Sequence, residues 1–225
     1  MDGILIVDKP QGMTSHDVVN LIRRRFNLKK VGHAGTLDPM ATGVLVMLLG
    51  KCTKSSSRFI GDDKEYEGTM VLGATSDTGD AWGNITASSG KRDFTDEEIR
   101  GTFNKFTGEL EQVPPMYSAV KFKGKKLYEL ARKGLSVEVK PRKVFIKGLE
   151  VTDMTLPQIS FKAVCSKGTY IRQLCADIGK ALGCGAYLSS LRRTRSGEFS
   201  IDEALSADEL KRSEKTDIEK KLKHI

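Results

Sequence analysis

Metal and redox chemistry have little to work with in this 225-residue sequence. The four cysteines, Cys52, Cys165, Cys175 and Cys184, form no CxxC pair, and the three histidines, His16, His33 and His224, are scattered. Zinc sites need clustered ligands and disulfide frameworks need patterned cysteines, so neither is indicated, and no metal or cofactor is expected. Long apolar runs are missing too. The longest, Val44 to Leu49, is far short of the ~20 residues that a membrane-spanning helix needs. MDGILIVDKPQG, with an acid at position 2, reads as neither a signal peptide nor a membrane anchor, and a cytoplasmic protein is expected. Repeats and low-complexity linkers are also lacking.

What is present is a hydrophobic fraction of 39%, enough to fill a core, and an excess of base. Lys and Arg total 37 against 29 Asp and Glu, a net charge of +8, which favours a polyanionic partner over an acidic small ligand. The organisation reads as one domain over 1–209 followed by a lysine-rich tail, 210–225, in the form of a solvated, frayed helix.

Ile4 to Val7 reads as a strand and PQGMTS as a loop. Ser15 reads as the N-cap of a helix whose apolar positions Val18, Val19, Ile22 and Phe26 recur at helical spacing. The other face of that helix is basic, with Arg23, Arg24 and Arg25. Val44 to Leu49 has strand length, Lys51 to Ile60 looks helical, and Glu65 to Leu72 alternates as a strand does. GATSDTGDAWGN offers only turn and loop chemistry. Thr95 and Glu98 form a capping box for a helix to about Phe106. VKFKGKK reads as a hairpin with the short basic helix LYELARKG behind it. Strands follow at Val144 to Val151 and Gln158 to Cys165, then a helix from Ile171 to Leu182 closed by Gly183. Strands and helices mix without βαβ alternation, which predicts an α+β fold on a mixed, mostly antiparallel central sheet.

Four stretches carry candidate chemistry. In GHAGTLDPMATG a single acid, Asp38, precedes Pro39, which disfavours helical backbone before it. Asp38 is then either a helix cap or Asx turn, or a carboxylate that acts without a companion base; the neighbouring Gly32, Gly35 and Gly43 permit close approach of another backbone. In KGTYIRQL, Arg172 and Tyr170 are either a surface arginine and a core tyrosine, or a bidentate anion clamp beside an amphipathic wall. In KEYEG, Tyr66 either packs the core or borders a cleft where it stacks on a base. Nine cations fall within residues 121 to 143, among them Lys121, Lys123, Lys125 and Lys126, interleaved with Phe122 and Tyr128. With Arg192, Arg193 and Arg195 they make either a solvated face or a phosphate-binding patch, and the density favours phosphate.

Taken together, GILIVDKPQGMTSHDVV, VGHAGTLDPMATGVL, KEYEG, SDTGDAWG, PPMYSAVKFKGKKLYELARKG, SKGTYIRQL and GCGAYLSSLRR resemble, in order and nearly end to end, the TruB family of tRNA pseudouridine synthases. These bacterial enzymes isomerise the uridine at position 55 in the T-arm of tRNA. The resemblance implies the pseudouridine synthase fold and an isomerase acting on tRNA; no obligate protein partner is evident in the sequence, and a monomer is expected. It makes Asp38, from the family's GxLDPxATG motif, the single catalytic acid acting on a flipped-out base, and neither cofactor nor metal is implied. It places Tyr66 on the target base, Arg172 against Asp38, His33 at the opening of the T-loop, Tyr170 and Leu191 in the pocket lining, and Lys9 with Pro10 on the supporting loop. Asp80 matches a loop acid that contacts displaced nucleotides. The segment from about Met116 to Arg142 corresponds to a basic insertion that closes over the RNA, so that Lys121, Lys123, Lys125 and Lys126 become RNA contacts. The family's usual C-terminal PUA domain has no counterpart in the sequence. Two other classes remain open from the residues alone: a non-catalytic RNA binder or folding helper, which would not need Asp38, and a glycosidase, which would want two carboxylates where the motif has one.

Overall fold

The computed structural model describes residues 1–88, 90–91 and 93–224. In chain order its elements are β1 (Gly3–Lys9), α1 (Ser15–Arg25), β2 (Val31–Ala34), β3 (Thr42–Leu49), α2 (Ser56–Ile60), β4 (Lys64–Leu72), β5 (Ala74–Ser76), β6 (Ile85–Ala87), α3 (Asp96–Asn104) and β7 (Gly108–Gln112). They continue with β8 (Lys121–Phe122), β9 (Lys125–Lys126), α4 (Leu127–Ala131), β10 (Arg142–Thr155), β11 (Gln158–Cys165), α5 (Ile171–Ala181), β12 (Ala186–Ser196), β13 (Phe199–Ser200), β14 (Leu205–Ser206), α6 (Ala207–Arg212) and α7 (Lys215–Lys221). Two compact units result: a first one made of Met1–Glu67 and Leu191–Ile225, and a second one, Gly68–Ser190, the boundaries falling inside β4 and β12.

In the first unit the strand order is β14-β1-β3-β12, with β2 also on β3 and β13 also on β12. β1 and β3 run antiparallel with Ile4 opposite Leu48 and Ile6 opposite Val46, while β14 on β1 and β12 on β3 are parallel. Side chains alternate along a strand, so Ile4, Ile6, Val44, Val46 and Leu48 share a face, where they cluster with Ala34, Phe59 and Phe199. Leu5, Val7, Leu45, Met47 and Leu49 point the other way and are equally buried. Cover on both faces explains why Val44 to Leu49 reads as a continuous apolar run and not as an alternating one.

The N-cap of α1 is Thr14, not Ser15: the Thr14 hydroxyl accepts from the Asp17 N–H, and Asp17 returns a bond to the Thr14 N–H. Ser15 is turned inward for another purpose, described below. The tail is likewise not solvated throughout. Leu210 of α6 and Ile218 of α7 are fully buried, and Lys223 exchanges both backbone hydrogen bonds with Ile4.

The second unit has the order β4-β11-β10-β7, with β10 antiparallel to both β11 and β7. Phe103 of α3 and Phe161 of β11 lie 6.2 Å apart, ring centre to ring centre, within its core. The segment read as turn chemistry alone holds a small hairpin, β5 against β6, with Ala74 opposite Ala87. The capping box at Thr95, the hairpin β8–β9 and the glycine closing α5 stand where the sequence places them. The α+β, mostly antiparallel architecture is as expected. No helix among the described residues is long and apolar enough to cross a membrane.

Candidate active site

The first unit builds a site around the turn Asp38–Ala41. The Ala41 N–H donates to the Asp38 carbonyl at 3.1 Å, so Asp38 opens a tight turn with Pro39 in the position that its fixed φ favours. No helix begins there, which removes the helix-cap reading. Leu37 and Met40 are buried on either side, leaving Asp38 and Pro39 half-exposed between two apolar anchors.

Two segments far apart in sequence pin this turn. The Ser15 hydroxyl donates to the Leu37 carbonyl at 3.1 Å and accepts from its N–H at 2.9 Å, and the Gly12 N–H donates to the Pro39 carbonyl at 2.9 Å. The loop carrying Gly12 is itself held by Lys9, whose ammonium donates to the Pro10 and Met13 carbonyls at 2.9 and 2.8 Å. From β12, buried Arg193 donates through Nε to the Val44 carbonyl at 2.7 Å and through an Nη to the Gly35 carbonyl at 3.2 Å. Arg193 therefore grips both ends of the segment that carries Asp38. Gly43 permits this: it has φ of +103°, and a Cβ there would lie 2.2 Å from the Arg193 carbonyl oxygen.

Charge in the unit follows from this packing. Burial pushes the Lys9 ammonium down to about 8, against the Asp38 carboxylate, which works to hold it charged. His33, on β2, is also pushed below its ordinary value, first by burial and then by the Arg193 guanidinium, and its Nδ1 is buried without a hydrogen-bond partner among the described residues. Lys9 thus acts on the loop backbone. Tyr66 is buried on β4, Leu191 is buried where β12 enters the unit, and the Thr42 hydroxyl reaches the Leu191 carbonyl at 3.5 Å. Lys64, two residues before Tyr66, is buried and donates to the Phe59, Ile60 and Asp62 carbonyls at the end of α2.

In the second unit Arg172 is not a surface arginine. It is buried, with one Nη donating to the Thr78 carbonyl at 2.6 Å, the other to the Tyr117 carbonyl at 2.8 Å, and Nε 3.5 Å from an Asp80 carboxylate oxygen. Asp80 is buried as well; its other oxygen accepts from the Thr78 hydroxyl and the Trp82 N–H. Tyr170 caps α5, and its backbone is clamped in both directions by the Gln112 side chain, at 2.8 and 3.1 Å.

The basic patch divides. Lys121, Lys123 and Lys125 are exposed and Lys126 half-buried; Lys123 stands over Phe122 and Lys126 over Tyr128 at 5.6 and 5.4 Å. The three arginines grouped with them go elsewhere. Arg193 is internal, Arg192 forms a two-pronged pair with Asp8 at 2.7 and 3.1 Å, and Arg195 pairs with Glu65 at 3.0 Å. Arg193, Lys64, Ser15 and Gln112 were not visible as site builders in the sequence. For Arg193 the signal existed: period-two alternation from Leu191 along β12 puts it on the inward face.

This mixed α+β architecture is that of the pseudouridine synthases. A Cbf5–Nop10–Gar1 complex has a chain that superposes with a TM-score of 0.72 at 34% identity, covering 91% of this chain and 52% of that one. For an H/ACA RNP bound to a substrate RNA containing 2′-deoxyuridine the figures are 0.69, 31%, 92% and 51%, so the chain spans about half of each. The model of the N-terminal domain of TruB family pseudouridylate synthases matches residues 23–171, and that of the tRNA pseudouridylate synthase B C-terminal domain matches 172–225. The chain belongs to the TruB family. tRNA pseudouridine synthase B of Opitutus terrae is 47% identical over 99% of this chain and 92% of its own length. That of Syntrophotalea carbinolica is 50% identical over 92% and 68%.

Proposed function

We propose that the chain converts uridine to pseudouridine in tRNA, at position 55 of the T-arm, with Asp38 as the catalytic carboxylate. The reaction breaks the C1′–N1 bond, turns the freed uracil and joins C5 to C1′; C5 gives up its proton and N1 gains one, so composition is unchanged. Such a step asks for one carboxylate in a fixed place and a pocket that cages the base. The observation that carries the reading is the Asp38 turn, half-exposed yet tied by Gly12, Ser15 and Arg193. The two tRNA pseudouridine synthase B relatives, at 47% and 50% identity, support the substrate class.

The target nucleotide has to leave its stack at a cost of a few kcal/mol, which contacts to the extruded base must offset. His33, Tyr66, Tyr170, Arg172 and Leu191 are the substrate-binding residues of this reading, and Lys9 serves it by holding the loop under the turn. Lys121, Lys123, Lys125 and Lys126 supply phosphate contacts, Asp80 holds its loop for the displaced nucleotides, and the protein acts as a monomer in the cytoplasm. Asp38→Asn tests it. Tritium release from C5 of a labelled tRNA transcript should stop, while tRNA affinity stays within a few-fold. An Asn variant that still releases tritium would sink the assignment, and a wild-type protein that binds tRNA without releasing any would make it a binder.

A further inference from the structure

The loop between β5 and β6 carries an aromatic ring that nothing above uses. Trp82 is the one tryptophan of the sequence and is 54% exposed; Ile85, three residues on, is 49% exposed. The backbone beneath them is fixed. The Trp82 N–H is bonded to the Asp80 carboxylate at 3.0 Å, and Asp80 faces Arg172. The Ala81 N–H donates to the Leu188 carbonyl at 2.9 Å, while the Leu188 N–H donates to the Gly79 carbonyl at 3.0 Å. Asn84 closes the loop on both carboxylate oxygens of Asp77, at 2.8 and 2.9 Å. An indole that packing could have buried is instead held outward on a rigid base.

We propose that Trp82 is a stacking platform for an unpaired nucleobase of the RNA substrate, with Ile85 extending its apolar edge. This rests on the reading that the chain works on RNA. A ring held on an immobile backbone loses little conformational freedom when it stacks, which is what makes aromatic platforms effective. A protein partner fits less well: one indole and one isoleucine among Asp77, Thr78 and Asn84 fall far short of the roughly 800 Å² per side that a stable protein interface buries. The net charge of +8 points the same way, towards a polyanion. A base in a duplex has both faces covered, so the ligand is a nucleotide from a loop or one that has been extruded.

Because Trp82 is the only tryptophan, its emission reports the contact without labelling. An RNA hairpin with the T-arm sequence should quench it saturably, and a fully paired RNA of equal length should quench it much less. Trp82→Ala should raise KM for the hairpin roughly 5- to 150-fold, the range that loss of one base–aromatic stack gives, with kcat little changed. Trp82→Phe should recover most of the loss, and the melting temperature should hold in both variants because the ring is exposed. The proposal is overturned if filter retention shows the hairpin bound while emission stays constant, or if Trp82→Ala leaves KM unchanged. The fluorescence titration stands apart from turnover: a protein that makes no pseudouridine refutes the assigned activity, whereas full activity with a silent indole refutes only the platform.

Discussion

Replacing Arg193 by methionine strikes the structure that holds Asp38 without touching Asp38. The guanidinium is buried and donates to Val44 and Gly35, at the two ends of the loop. Each charge-assisted bond is worth about 1.5–3 kcal/mol, and both carbonyls would lose that donor. Against this, removing a buried charge recovers part of its desolvation cost, and methionine refills much of the volume. The net loss of stability should be about 2–4 kcal/mol, read by urea unfolding, or roughly 5–15 °C in Tm for a chain of this size. A second readout is electrostatic. The Arg193 charge helps to push His33 and Lys9 down, so both should rise towards their ordinary values in the variant, His33 being followed by NMR titration. In the wild type the unfolded chain accepts a proton at His33 that the folded chain refuses, so stability falls as the pH drops through about 6.5; the variant should lose stability less steeply there. An unmoved His33 resonance, or a variant as stable as the wild type, would refute the account of Arg193 as the internal clamp.

Lys9→Met should alter the alkaline side. With Lys9 lowered to about 8, the folded chain binds fewer protons than the unfolded one between about pH 8 and 10.4, so the stability of the wild type relative to the variant should rise with pH across that window, by a fraction of the ~1.4 kcal/mol per unit that a whole proton gives. A flat difference would show that the ammonium is not desolvated. Buried Cys175, pushed up by desolvation, works in the opposite sense and is common to both proteins, so it cancels. Binding of tRNA should weaken steeply with salt, and the triple change of Lys121, Lys123 and Lys125 to Ala should flatten the log–log slope by about 2–3, since each exposed lysine releases close to one counterion. Arg195→Gln should leave that slope unchanged because Arg195 is already paired with Glu65; a drop of a full unit there would mean that the pair opens on RNA.

Most of the elements were legible because their periods are strong. β4 alternates, β3 is covered on both faces, and α3 announces its start with a capping box. Where the reading slipped, the local physics is weak or two signals compete. Thr14 and Ser15 both suit an N-cap, and only Asp17, three residues after Thr14, chooses between them. The β5–β6 hairpin has three-residue strands with no buried residue on either, hence no periodic pattern to find. The tail docks through Leu210 and Ile218, two isolated apolar residues among lysines, and isolated anchors look the same in the sequence whether or not something receives them.

The site shows the same limit in a more instructive form. Asp38 on its turn, with Pro39 next to it, could be read from six residues; what holds the turn could not, because it consists of buried cations that composition assigns to the surface. Lys9, Lys64, Arg172 and Arg193 each donate to two or more backbone carbonyls, most of them in loops or at element ends. Loops that must present a carboxylate and leave room for a base give up regular backbone pairing, and long basic side chains replace the missing donors from within. An excess of lysine and arginine therefore has two uses in such a protein, and the formal charge of +8 counts both. The cations free to meet phosphate are fewer than the sequence suggests; Lys121, Lys123 and Lys125 are among the exposed ones, so the salt dependence of those three, set against that of Arg195, separates charge open to a polyanion from charge held inside the fold.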